Sequence, residues 1–186
     1  MSIGYLPKTL TVGGREWRIR TDYRNILRIF EAMNDRELEH EEKIYIMLYI
    51  LYVDIDKMPA KLYREAAEQA NWFIEAGQEE DTSEDVRKMD WKQDESIIFP
   101  AVNAVAGKEL REEKQVHWWT FLGYFMEIRE GIFATVIHIR TKKLDGKKLD
   151  KWEREFYQKN KKICDLRVEK TEDEKKEEEE INKLLG

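Results

Sequence analysis

In KQVHWWTFLGYFMEI, residues 114–128, a histidine stands directly before five aromatic side chains packed into eight positions. His117 is of the type that titrates nearest neutrality, so it can serve as a general acid or base inside an aromatic wall. Such a role needs a second group to orient the ring. On a helix starting near Lys114 the spacing supplies no carboxylate for it. Cys164, in KKICDL, has lysine neighbours that can lower a thiol pKa, yet a lone helical cysteine is by default a small buried residue. His40, His117, His138 and Cys164 lie far apart, and neither H-x-x-x-H nor C-x-x-C occurs, so no metal site is predicted. Neither glycine-rich phosphate-cradling pattern, G-x-x-x-x-G-K-S/T or G-x-G-x-x-G, is present, and no cofactor is predicted. Acidic pairs are numerous because the chain is heavily charged, and they single out no catalytic residue. The expectation is a protein that is not an enzyme.

The aromatic run must then be explained by packing. On a helix beginning near Lys114, Trp118, Phe121, Leu122, Phe125 and Ile128 share one side, Trp119 and Met126 flank it, and Tyr124 points further round. Trp118, Leu122 and Phe125 are expected in the core, because a buried Trp or Phe removes roughly 150–250 Å² from water. Trp119 and Tyr124, both amphipathic, are the better recognition residues. The candidate partner-binding set is Trp91, Trp118, Trp119, Phe121, Tyr124 and Phe125.

The elements around this run read as mainly α. TLTVGGREWRIR is a β-hairpin: Gly13 and Gly14 can both take positive φ, as a type I′ turn requires. That turn sets Leu10 opposite Trp17 and puts Val12, Trp17, Ile19 and Arg15 on one face. TDYRNILRIFEAMND gives a helix capped by Thr21 or Asp22, with Tyr23, Ile26, Leu27, Phe30 and Met33 at helical spacing. EHEEKIYIMLYILYVD gives a second helix, apolar almost all round, which places it near the centre of the core. DKMPAKLYREAAEQANWFIEAG is a third, with Pro59 in its first turn, Gly77 at its end, and Leu62, Ala66, Ala70 and Phe73 on one face. In WKQDESIIFPAVNAVAG, Pro100 predicts a kink or break. The domain reading is a hairpin at 1–20, a helical core at 21–148 with a mobile acidic loop at 78–90, and a long charged helix or tail at 149–186.

Composition limits the function classes. Only nine Gly and three Pro in 186 residues argue against a many-stranded sandwich or barrel. With 39% charged residues and a net charge of −6, the chain has no general attraction for nucleic acid or anionic membrane. The longest apolar run, residues 44–53, is too short to span a bilayer, and MSIGYLPKTL lacks the pattern of a secretory signal. A single cysteine fits a reducing cytoplasm. Arg140 to Lys162 holds ten Lys or Arg against four acidic residues, and Glu169 to Glu180 holds eight acidic residues against three lysines. The basic part supports an alternative reading, a nucleic-acid-binding accessory protein contacting polyanion through Lys142, Lys143, Lys147, Lys148 and Lys151. The acidic segments oppose that field, and no sequence-reading motif accompanies it.

Three segments in order, MDWKQDESIIFPAVNAVAG, LREEKQVHWWTFLGYFMEI and VIHIRTKKLDGKKLDKWEREFYQKNKK, resemble a family of small tailed-phage and prophage proteins named after the fifteenth gene product of a phage of Gram-positive bacteria. The resemblance rests on Asp90, Trp91 and Asp94 at a helix start, on His117-Trp118-Trp119 with the following Phe121, and on Ile139–Lys142, expected as a turn. The strand pair followed by DYRNILRIFE is also similar, and the likeness runs to about Lys162. Genes of that family lie just before the tape-measure gene. The resemblance implies a tail-assembly chaperone of the host cytoplasm, not retained in the virion, that keeps the long apolar tape-measure chain soluble while tail-tube subunits gather. Sister chaperone subunits and self-association are compatible with that role.

Overall fold

The computed structural model describes residues 4–77 and 87–167. Most of the predicted acidic loop and the tail beyond Arg167 lie outside the described residues. The fold is mainly α: eight α-helices and a two-stranded antiparallel hairpin among the described residues. β1 (Thr9–Val12) and β2 (Arg15–Arg18) pair with Leu10 opposite Trp17, the predicted register. Gly13 and Gly14 sit at φ 59° and 71°, and the Arg15 guanidinium lies 4.7 Å over the Trp17 ring. A Cβ on Gly13 would come within 2.8 Å of Leu62, so the turn needs glycine for its approach as well as for its φ.

The helices α1 (Tyr23–Asn34), α2 (His40–Leu51) and α3 (Tyr63–Ile74) follow. Asp22 caps α1 by accepting the Arg24 N–H. The α3 helix starts at Tyr63, after two 3-10 turns at Ile55–Lys57 and Ala60–Leu62, so Pro59 precedes the helix instead of opening it. Ala66, Ala70 and Phe73 form its buried face as expected. The hairpin is tied to the end of α2: Arg20 N–H donates to the Leu51 carbonyl, Val53 N–H to that of Arg18, and Tyr52 O–H reaches the Ala66 carbonyl.

The second half holds α4 (Glu95–Ala106), α5 (Trp118–Met126), α6 (Gly131–Leu144), α7 (Lys151–Lys159) and α8 (Lys161–Cys164). Three expectations change here. The α4 helix runs through Pro100 without a break: the ring lies on the exposed side, where the one Ser96 carbonyl it leaves unpaired can meet water. The segment Ile139–Lys142 is helix, inside α6, not a turn. The α2 helix is not central: only Met47, Leu48 and Leu51 are buried, while Tyr45 and Tyr49 are 50% and 57% exposed. A single apolar core joins the hairpin to α1–α6, from Leu10 to Phe133.

Candidate functional site

The aromatic helix α5 begins at Trp118, four residues later than its spacing suggested, because His117 is its cap. Its Nδ1 accepts the Trp119 backbone N–H at 3.1 Å, and its Nε2 lies 2.9 Å from the Pro7 carbonyl oxygen. One ring nitrogen therefore accepts and the other donates, which defines the neutral imidazole with its proton on Nε2. Burial lowers the His117 pKa, and the nearby Lys8 adds to this, while the Pro7 carbonyl opposes it. Both nitrogens are engaged, one at the start of α5 and the other on the Pro7 carbonyl ahead of β1.

The two tryptophans have equally defined duties. Trp118 Nε1 donates to the Ile74 carbonyl and Trp119 Nε1 to the Phe73 carbonyl, each at 2.8 Å. Those are carbonyls of the last turn of α3; the Phe73 carbonyl also accepts the Ala76 N–H, so Trp119 adds a second donor there. Consecutive indoles thus close consecutive carbonyls, while His117 closes the start of α5. The tripeptide works as one joint between Pro7, the end of α3 and the start of α5.

Around that joint the rings separate into interior and surface. Trp118 and Phe121 are buried, and Phe121 stacks on Tyr23 with ring centroids 4.4 Å apart. They support the surface and cannot themselves meet a partner. Trp119 is half-buried, packed edge-on to Trp72 at 5.5 Å. Trp91 is half-buried between Phe30 at 5.8 Å and Phe125 at 4.8 Å. Tyr124 is half-buried, Met126 is exposed, and Ile132 at the start of α6 is exposed too. Four of the six predicted partner residues, Trp91, Trp119, Tyr124 and Phe125, therefore reach the surface.

A polar cluster that the spacing did not disclose fixes the other flank. Arg140 is buried in α6 and donates five hydrogen bonds: two to the Asp94 carboxylate and one each to the carbonyls of Lys88, Ile163 and Cys164. Asp94 is 1% exposed and also accepts the Asp90 N–H. An Arg inside the apolar run IFATVIHIR was the available signal, but its partner is 46 residues away in sequence. Nearby, Glu153 on α7 receives Lys142 and lies 2.9 Å from His138 Nε2. The Lys142 ammonium, the Asp150 N–H and His138 hold the Glu153 carboxyl down at about 2.

These contacts occupy the predicted polyanion lysines. Lys142 is committed to Glu153, Lys143 to Asp165 and the Tyr157 hydroxyl, and Lys147 to Asp145. Lys148 and Lys151 are exposed. Burial pushes the Cys164 thiol up, away from the thiolate, with Arg140 partly opposing. Among the described residues no group of His, Cys, Asp or Glu is placed to hold a metal ion, and no helix is long and apolar enough to cross a membrane.

Searches among curated proteins and among solved structures returned no match. The family model described as bacteriophage Gp15 protein matches residues 4–166, which takes in the hairpin, the His117 joint and the Asp94–Arg140 pair. The chain belongs to the bacteriophage Gp15 protein family.

Proposed function

We propose that this phage protein acts without catalysis in tail assembly, as a chaperone-like factor that binds the tape-measure chain in the host cytoplasm and is not retained in the virion. Tail-tube or sister chaperone subunits would join the same assembly. The observation that carries the reading is the set of partly exposed aromatic side chains on and beside α5, Trp91, Trp119, Tyr124 and Phe125, packed around buried Trp118 and Phe121. Rings held in fixed orientations bind apolar helices at low entropic cost, because little side-chain freedom remains to be lost. Polyanion binding is less well supported, since three of its five lysines already have anionic partners.

Co-expression with the tape-measure protein of the same phage locus tests this. The expected result is a rise in soluble tape-measure protein and its co-purification with this chain. Met126→Glu and Ile132→Glu, at exposed positions on this side of the fold, should weaken both without disturbing the core. No gain in solubility and no co-purification would overturn the proposal.

A further inference from the structure

The sequence of α2 is that of a helix buried on every side, yet this fold covers only part of it. Tyr45 and Tyr49 follow one another at helical spacing along the outer side, 50% and 57% exposed, and Val53, just past the end of the helix, is 37% exposed. The Tyr45 and Tyr49 rings stack with centroids 6.4 Å apart, and the half-buried Ile46 and Ile50 widen the strip. An apolar helix face of this kind is ordinarily covered.

The charges at its two ends indicate what covers it. Glu39, Glu41 and Glu42 crowd the amino-terminal end, where Glu39 and Glu42 form a capping box. The carboxyl-terminal end carries three cations against two carboxylates: Arg20 Nη1 donates to the carbonyls of Tyr49, Ile50 and Tyr52, Arg18 and Lys57 share Asp54 while staying largely exposed, and Asp56 lies beside them. An acidic start and a basic finish make the strip complementary to itself reversed. We infer that this face binds a second copy of the chain, α2 packing antiparallel on α2 about a two-fold axis between Tyr45 and Tyr49.

In that arrangement Tyr45 of each copy meets Tyr49 of the other, and Glu41 and Glu42 lie opposite Arg18 and Arg20. The opposed helix dipoles add a small favourable contribution. A 12-residue helix is about 18 Å long, so the strip lies at the small end of specific interfaces. The dimer is therefore concentration-dependent and weakened by salt.

Sedimentation velocity on the full chain, from about 1 to 300 µM at low salt, reads the equilibrium across the weak-affinity range. The expected result is a monomer–dimer transition that Tyr49→Glu shifts to about tenfold or more higher concentration, with the helical circular dichroism unchanged. Glu41→Lys and Arg18→Glu should each weaken self-association, and mixing the two variants should restore it. Only a two-fold antiparallel pairing turns both repulsive contacts into attractive ones in the mixture. A chain that stays monomeric throughout, a dimer indifferent to Tyr49→Glu, or variants that fail to complement would overturn the inference. So would a monomer whose co-purification with the tape-measure protein is lost in Tyr49→Glu, since the face would then belong to that chain. The tail-assembly proposal does not depend on α2 and survives each of these results except failure of the co-expression itself.

Discussion

Around α5 the structure is held by ring against ring, with two indole N–H groups closing the end of α3. Around α6 it is held by charge: Arg140 on Asp94, Lys142 and His138 on Glu153. The apolar region gains from every square ångström removed from water and tolerates small displacements. The ionic region gains little on balance, because desolvating a guanidinium and a carboxylate offsets most of their attraction. What it contributes is geometry, since a guanidinium with five satisfied donors fixes the starts and ends of three segments at once.

Six variants break or sharpen the contrast. Asp94→Ala leaves Arg140 charged and unpaired in the interior and should destabilise the fold by about 3–5 kcal/mol in urea denaturation. Replacing Arg140 by Met and Asp94 by Leu together should recover only part of that, because the carbonyls of Lys88, Ile163 and Cys164 lose their donor. Full recovery would mean that the carbonyl contacts are dispensable. In the apolar region, Trp118→Phe keeps an aromatic ring but loses volume and the bond to Ile74. About 1–3 kcal/mol should be lost in the same measurement.

Acidity separates the regions next. The Glu153 carboxyl titrates near 2 in the fold and near its ordinary value when unfolded, so its contribution is complete above the ordinary carboxylate range. It is lost as the pH falls from there towards 2. The stability gap between the native chain and Glu153→Gln, measured by denaturant midpoint, should accordingly close on acidification. His117, with its pKa lowered, contributes above its unfolded value near 6.5 and loses that contribution as the pH drops below it. Changing it to Asn, which can also cap α5, should flatten the dependence between about pH 7 and 5. The smallest effect belongs to Arg64→Ala, which removes an exposed pair with Glu68 on α3. A change above about 0.5 kcal/mol in thermal or denaturant unfolding would show a hidden role for that face.

Much of the architecture was legible because it depends on local rules. A Gly-Gly turn and a two-residue period determine the hairpin register, and helical spacing identifies Tyr23 and Ile26 on α1, though not the buried Ile29, and Ala66, Ala70 and Phe73 on α3. What escaped depends on distant partners. The late start of α5 follows from His117 accepting a backbone N–H and meeting Pro7, which lies 110 positions earlier. The likeness to the phage family rested on HWW, on Asp94 and on the segment holding Arg140 before any of them had a physical role. The α2 helix misled differently: its composition reports burial, and the single chain leaves one side bare.

The grip of Arg140 has a consequence for how such a sequence can drift. Three of its five bonds end on main-chain oxygens, at Lys88, Ile163 and Cys164, which every amino acid supplies. Those positions can be rewritten by mutation without loosening the knot, provided the backbone path is kept. Variation should therefore be severe at the aspartate and the arginine and permissive for the carbonyl contacts themselves, with Cys164 limited only by its own buried side chain, a pattern that a saturation library selected for folding would expose directly.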